Sequence, residues 1–299
     1  MHRLALPCAC PDPSAALDLG PTLQPVFRTD PTVTASQDPA LLLPAMVAAA
    51  RRAGETAMGW FRLGERTSAG VETKAGGSPV TEADHAADAL LKAALRPLDP
   101  AAGWLSEETA DTPERLSCTR LFIVDPIDGT RAFMAGDPRW AVCVALVEAG
   151  LPQIGVLHLP ALGQTFTAVA GGGAALNGGP IRVSEAPSLA GARFAGPLPL
   201  LERFARTGEA ITPQDKVPSL AYRIALVASG EIEVGLASTN AHDWDIAAAD
   251  LIVHEAGGFL GDSSGRRPIY NQPSPKHGIL AAAPARFRAD IISRLQAMA

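Results

Sequence analysis

The sequence predicts a mixed fold, α+β or α/β, in which helices and sheets alternate along the chain. Three observations predict it. Ala- and Leu-rich stretches with helical spacing occur near residues 38–62, 81–95 and 244–258. Apolar runs of strand length lie between them, above all residues 140–147 (WAVCVALV), continuous enough for a central strand. Residues 121–133 (LFIVDPIDGTRAF) join a short strand to a turn and a helix start, with acids at the junction.

Residues 1–37 are rich in Pro, Asp, Thr and Ser without periodicity and read as a poorly ordered extension. Pro7 and Pro11 break their apolar stretch, so they match a signal peptide only faintly. Asp38-Pro39 has the form of an N-cap followed by proline at the first helical position. The helix it opens runs to about Arg62 through Leu42, Met46, Val47, Ala50, Ala57, Met58 and Phe61, and Pro44 argues for a start a few residues later. Residues 71–80 are polar and Gly-rich, an irregular hairpin or loop. Thr81 and Asp84 form a capping box for a helix that buries Ala83, Ala87, Leu90, Leu91, Ala94 and Leu95 and stops at Arg96-Pro97. Residues 103–105 are a short strand leading into Ser106-Glu107-Glu108. The strand at 121–124 ends at Asp125, because Pro126 removes a backbone donor from the ladder. Gly129-Thr130 then opens a short helix. In the plain structural reading Asp128 is its N-cap. In the functional one Asp125 and Asp128 hold a cation beside a phosphate. The motif alone leaves both open.

Strands follow at 140–147, 154–159 and 165–169, with turns at Gly171–Gly173 and Asn177-Gly178-Gly179. The triple glycine lacks the following Lys-Ser/Thr of a phosphate loop and reads as a hairpin connection. Prolines punctuate the chain beyond Ser184. A boundary there divides residues 38–184 from residues 185–299. Ser219 caps a helix over 220–228, a strand with period-2 character spans 232–236, and a loop over 237–243 leads to a helix. That helix has an apolar face of Trp244, Ala248, Leu251, Ile252 and Ala256 and a C-cap at Gly257. A strand at 279–282 and a helix over 284–298 close the chain.

Composition narrows the function classes. Of 299 residues 47% are hydrophobic but only 5% aromatic, so the core is built from Ala, Leu, Val and Ile. The net charge of −6, without a basic stripe, argues against a nucleic acid polymer as partner. No apolar run approaches the roughly 20 residues of a membrane helix. The cysteines, Cys8, Cys10, Cys118 and Cys143, form no metal pattern beyond the lone Cys8-x-Cys10 pair, and a reduced, cytoplasmic setting fits them.

The acids carry the chemistry. Asp84, Glu107, Asp125, Asp128 and Asp245 each stand at a strand end or helix start. Singly, each has an ordinary explanation as a cap or loop acid. Gathered together they would repel and need cations, and all-oxygen donors favour hard metals such as Mg²⁺ or Mn²⁺.

Three segments in order, SPVTEAD (78–84), SEE (106–108) with DPIDGT (125–130), and WDIAAADLIVHEAGG (244–258), resemble the inositol monophosphatase superfamily. The resemblance implies a layered sandwich of alternating helices and sheets, of the inositol monophosphatase and fructose bisphosphatase type. It implies a lithium-sensitive, metal-dependent phosphomonoesterase with two or three Mg²⁺ ions, Mn²⁺ able to substitute. By resemblance the metal ligands are Glu107, Asp125, the Ile127 carbonyl, Asp128 and Asp245, and the catalytic residues are Asp84, Glu107 and Thr130. Gly129, Thr130, Arg131 and His242 fall to the substrate. Residues 38–184 then supply most ligands, and residues 185–299 supply Asp245 and a substrate loop over Asn240 to Asp243. The expected partner is a small phosphorylated metabolite, with neither nucleic acid nor membrane, and a homodimer is compatible with it.

The implied reaction is attack of metal-activated water on a phosphate monoester of the inositol monophosphate type. The alternatives are 3′(2′),5′-bisphosphate nucleotidase activity on 3′-phosphoadenosine 5′-phosphate, histidinol-phosphate phosphatase activity, or a catalytically silent binding protein of the same fold. Two departures bear on that choice. Arg131-Ala132-Phe133 replaces the Thr-Asn-Phe of inositol-type members, and Ser238 stands where they carry an acid seven residues before the last Asp.

Overall fold

The ordering of the layers follows from how the apolar runs divide their side chains. In β4 (Arg120–Asp128) and β5 (Ala141–Glu148) nearly every residue is buried, so both faces of these strands are covered. Phe122, Val124, Val142, Val144 and Leu146 pack in one core, while Leu121, Ile123, Ala141, Cys143, Ala145 and Val147 pack in another. Alternate residues thus serve opposite layers of an unbroken apolar run. The structure is a computed structural model, and it describes residues 39–208 and 210–298. The extension expected over 1–37, Cys8, Cys10 and the Asp38 cap lie outside the described residues.

The chain begins with α1 (Pro39–Met58), the hairpin β1 (Val71–Thr73) and β2 (Pro79–Thr81), α2 (Glu82–Leu95) and β3 (Gly103–Ser106). After β4 comes α3 (Thr130–Ala135), then β5, β6 (Leu151–Leu159), β7 (Gln164–Val169), β8 (Gly173–Leu176) and β9 (Gly179–Pro180). Strands β3 to β9 form a seven-stranded sheet in sequence order, with only the β3–β4 pair parallel. The second half contributes β10 (Arg193–Ala195), α4 (Leu198–Ala205), β11 (Thr212–Pro213), α5 (Leu220–Ala228), β12 (Val234–Ala237), α6 (Asp243–Glu255), β13 (Gly258–Gly261), β14 (Leu280–Pro284) and α7 (Arg288–Ala297). Its five strands are ordered β11-β10-β12-β14-β13.

Three cores hold five layers together, one of them spanning both sides of the central helices. Helices α1 and α2 cover one face of the seven-stranded sheet. Helices α5 and α6 fill the space between the two sheets. Helices α4 and α7 cover the far face of the five-stranded sheet through Leu200, Leu201, Phe204, Ile291 and Leu295. The helix–sheet sandwich expected from the sequence is therefore present.

Helix α6 differs from expectation in an instructive way. The spacing suggests one apolar face, yet Ile246 to Val253 are all buried, Asp250 included. A helix lying between two sheets has no wet side, and three successive alanines (Ala247, Ala248, Ala249) allow the close approach. A Cβ on Gly155 of β6 would come within 2.5 Å of the Ala248 carbonyl oxygen, so glycine is required for that contact.

Other elements correct the sequence reading. Helix α1 continues through Pro44 and ends at Met58, short of Arg62. Strand β4 does not stop at Asp125: the ladder shifts register between Asp125 and Asp128 and resumes with Asp128 opposite Ala141. The bulge takes the proline's missing donor out of the ladder and turns the strand end. The 232–236 strand lies at Val234–Ala237, both faces buried. Short β10 and β13 carry no alternation from which they could have been read.

Candidate active site

The bulge in β4 aims two carboxylates out of the sheet end. Asp125, 1% exposed, accepts a hydrogen bond from its own turn, Ile127 N–H to Oδ1 at 2.9 Å. Its other oxygen, Oδ2, is buried without any partner. Asp128 is not the cap of α3. That place belongs to Gly129, at φ 99°, a left-handed backbone that suits glycine. The Asp128 Oδ2 instead accepts from the Ser219 hydroxyl at 2.5 Å and the Ala221 N–H at 2.7 Å, both at the start of α5. Phe133 packs edge-on against Trp140, ring centroids 5.1 Å apart, and pins α3 beneath the turn.

Asp245 arrives from the first turn of α6, where its Oδ2 accepts the His242 N–H at 2.7 Å. One oxygen from each of Asp125, Asp128 and Asp245 lies within 4.8 Å of the others. Burial raises the Asp125 carboxyl well above its usual range, and repulsion from Glu107, Asp128 and Asp245 adds to it. Burial, followed by repulsion from Asp245, pushes Asp128 up to about 7 against the Ser219 and Ala221 hydrogen bonds. These acids are thus held together at an electrostatic cost that a cation relieves.

Glu107 lines the same cleft without joining that triad. Its carboxylate pairs with Lys74 at 2.9 Å, and Lys74 also reaches Glu108 at 2.7 Å. Burial raises Glu107 despite Lys74, with Asp245 and Asp84 adding repulsion. Lys74 sits on the turn of the β1–β2 hairpin, where Gly77 N–H donates to its carbonyl. Asp84 caps α2 as expected: Thr81 donates to its Oδ2 through N–H at 2.8 Å and through its hydroxyl at 2.6 Å. The free oxygen faces the Thr130 hydroxyl at 3.2 Å. That hydroxyl lies equally 3.2 Å from the Ile127 carbonyl, so one proton serves two acceptors. The capping acid of α2 and the first residue of α3 are thereby joined across the cleft.

A cavity of about 370 Å³ opens from this cluster, lined also by Gly129, Arg131, Lys216, Arg223, Ser238 and Asn240. His242 borders an adjoining cavity with Trp244, its ring stacked on the indole at 4.6 Å and 5° between planes. Asp243, expected in the substrate loop, faces away. It is 1% exposed and takes a hydrogen bond from His277 Nε2 at 2.7 Å.

Sequence reasoning missed Ser219 as a partner of Asp128, Lys74 as the counterion of Glu107, and Arg223 altogether. Ser219 was legible as a helix cap; its second bond reaches 91 positions back along the chain. The donor set suits a hard divalent cation: oxygens only, one of them buried with nothing to accept from.

Fold and site together define a layered α/β protein with a carboxylate cluster that could hold a metal ion beside a cavity of about 370 Å³. The sequence profile of the Inositol monophosphatase family matches residues 38–298, and the chain belongs to that family, whose members are metal-dependent phosphatases. A histidinol-phosphatase of Chlorobaculum parvum is 34% identical over 234 residues, 74% of this chain and 85% of the relative. An inositol-1-monophosphatase of Mesorhizobium japonicum is 33% identical over 242 residues, 78% of this chain and 90% of the relative. Among solved structures, the extragenic suppressor protein suhB of Bartonella henselae aligns with a TM-score of 0.74 at 30% identity, covering 86% of this chain and 98% of that one. The relatives' names differ in substrate while the fold is shared. Among the described residues no helix is long and apolar enough to cross a membrane.

Proposed function

We propose that the protein is a Mg²⁺-dependent phosphomonoesterase acting on a small phosphorylated metabolite. The observation that carries this reading is the triad of Asp125, Asp128 and Asp245 within 4.8 Å, beside a threonine hydroxyl bonded to a fourth acid. Asp125, Asp128, Asp245, Glu107 and the Ile127 carbonyl would hold the ions. Bound there, Mg²⁺ supplies charge neutralisation for the phosphate dianion and acidifies water.

The chain's own groups divide the remaining work. Thr130 Oγ1, facing Asp84 at 3.2 Å, orients the attacking water and passes its proton to the Asp84 carboxylate. Burial raises Asp84 above its usual range, which makes it a better base than a free aspartate. Glu107 lines the same cavity and would share that role once Lys74 releases it. Gly129 and Thr130 amides receive the phosphate oxygens, and Arg131 lines the exit for the leaving group. Residues 38–184 supply most of the ligands, whereas residues 185–299 bring Asp245 and the loop that meets the substrate.

Phosphate release from p-nitrophenyl phosphate, measured with Mg²⁺ and with a chelator, tests the reading. Release that depends on Mg²⁺ is the expected result. Its absence in purified, folded protein would leave the silent binding protein as the better description. Inhibition by lithium is expected on the same basis.

A further inference from the structure

We propose that Asp88 is a positioning residue for Glu107, fixing through the Ser106 and Thr109 hydroxyls the loop on which Glu107 reaches the cation cluster. The inference rests on the phosphatase reading, in which Glu107 holds a cation, and adds to it what sets the place of that ligand.

Glu107 needs such a support. Asp125 and Asp128 hang from the end of β4 and Asp245 from the first turn of α6, but Glu107 follows the last residue of β3. Its N–H continues the sheet, donating to the Val124 carbonyl at 3.3 Å. Its carboxylate stands outside the triad and pairs with Lys74. A side chain with two partners to choose from, lysine and cation, takes its direction from the loop that carries it.

That loop is clamped at both ends by one carboxylate. The Ser106 hydroxyl, immediately before Glu107, donates to Asp88 Oδ1 at 2.5 Å. The Thr109 hydroxyl, just after Glu108, donates to Asp88 Oδ2 at 2.7 Å. Ser106 Oγ also accepts the Glu108 N–H at 3.2 Å, which closes the turn from within. The two glutamates are thus bracketed, and neither end of their turn can shift without breaking a bond to α2. Glu108, its side chain 2% exposed, turns inward and keeps hold of Lys74 at 2.7 Å.

The helix itself gives no reason for Asp88. It lies beyond the first turn of α2, out of reach of the helix dipole, and aspartate is a weak helix former. It is 8% exposed and forms no ion pair among the described residues. Burying a carboxylate without a cation is unfavourable unless donors satisfy it, and here the donors are these two hydroxyls. One turn back on the same face stands Asp84, whose Oδ1 faces Thr130. A single helix, packed on α1 and β4 through Ala83, Ala87, Leu91 and Leu95, thus holds the proposed base directly and the Glu107 loop through hydroxyls.

The test reads Mg²⁺ binding by calorimetric titration of the full chain, so it does not depend on turnover. Asp88→Asn leaves one acceptor where two are needed. Its Mg²⁺ affinity should fall about 10–100-fold, the loss typical of removing a group that orients a metal ligand. In a Glu107→Gln background the triad still offers three carboxylates, and there the same substitution should change affinity by less than about twofold. Thr109→Val should weaken binding, while Thr109→Ser, which keeps the hydroxyl, should stay near the parent. This pair decides the matter if Asp88→Asn does not fold. An affinity unmoved by Asp88→Asn, or lowered equally with and without Glu107, overturns the inference. So does a Thr109→Val variant that binds Mg²⁺ no more weakly than Thr109→Ser. A parent that binds Mg²⁺ but releases no phosphate from p-nitrophenyl phosphate overturns the phosphatase reading alone, and one that binds no Mg²⁺ overturns both.

Discussion

One wall of the cleft hangs from buried strand: Asp125 and Asp128 close β4, inside a seven-stranded sheet covered on both faces. The opposite wall is made of connections, with Lys216 ahead of α5 and Ser238 and Asn240 between β12 and α6. The first wall is acidic and crowded, and its side chains are fixed by short hydrogen bonds. The second carries the exposed Lys216 and neutral polar side chains. Reaction chemistry needs fixed geometry, so it sits on the rigid element. On the proposed reading substrate choice, which tolerates variation, would sit on loops that can change without disturbing the sheet.

The acidic wall offers the largest effect. Asp125→Asn keeps size and the Ile127 bond but removes a charge from the cluster. Activity should fall to the level measured with a chelator, and far-UV circular dichroism should be unchanged. In metal-free protein the variant should melt no lower than the parent, because the charge it removes is buried among like charges. Retained Mg²⁺-dependent turnover would show that the acids are arranged for something other than the reaction.

Ser219 joins the two walls, so its removal reads their coupling. Ser219→Ala deletes the 2.5 Å bond to Asp128 and the cap of α5, whose Tyr222 N–H it accepts. Loss of a bond that orients a ligand of this kind costs about 10–100-fold in metal affinity or activity, and a lost cap costs about 1 kcal/mol. A Mg²⁺ titration of activity separates these: the half-saturating concentration should rise. Lower thermal stability with an unchanged Mg²⁺ requirement would reduce Ser219 to a helix cap.

That pair of roles marks the limit of what was legible in the sequence. Asp84 could be read from T-x-x-D because a capping box is local, and the structure closes both of its bonds. Asp125 and Asp128 were legible as a pair for the same reason. The path of β4 beyond Pro126 was not, since a bulge depends on the partner strand β5 as much as on the proline. The all-round burial of α6 was hidden because alanine suits a wet face and a crowded one equally. The cations that line the cavity, Arg131, Lys216 and Arg223, are far apart in sequence and share no motif.

Crowding on the acidic wall also predicts how stability responds to pH. Asp128 is raised from 3.8 to about 7 in the folded chain, and Asp125, Glu107 and Asp84 are raised with it. A raised folded value means that the folded chain holds protons which the unfolded chain has released. The resulting stabilisation is complete below the unfolded value and is lost as pH rises through the folded one. With a chelator present, Tm should therefore fall from pH 5.5 to 8, by about 5 °C for a chain of this size if one such proton dominates. Mg²⁺ should remove that fall, since it favours the ionised acids. A metal-free Tm that is flat or rising across this window would mean that the acids are not crowded in solution.

The smallest effect concerns how the second half anchors Asp245. Residues 270–278 cross the start of α6 as a strap: Asp243 N–H donates to the Pro275 carbonyl at 2.8 Å, and His277 N–H to the Ala241 carbonyl at 2.8 Å. His277 Nε2 adds a 2.7 Å bond to the buried Asp243. His277→Ala leaves that carboxylate with a weaker bond from Asn271 N–H at 3.3 Å, which should cost about 1–3 kcal/mol of stability and lower Tm by several degrees. Asp245 lies two residues further on but keeps its own tether, the His242 N–H at 2.7 Å. If that tether suffices, kcat at saturating Mg²⁺ should stay within about threefold of the parent while Tm drops, since backbone bonds hold the turn in place. A loss as large as that of Ser219→Ala would instead make the strap part of the acidic wall, and the rigid side of the cleft would then extend into the five-stranded half.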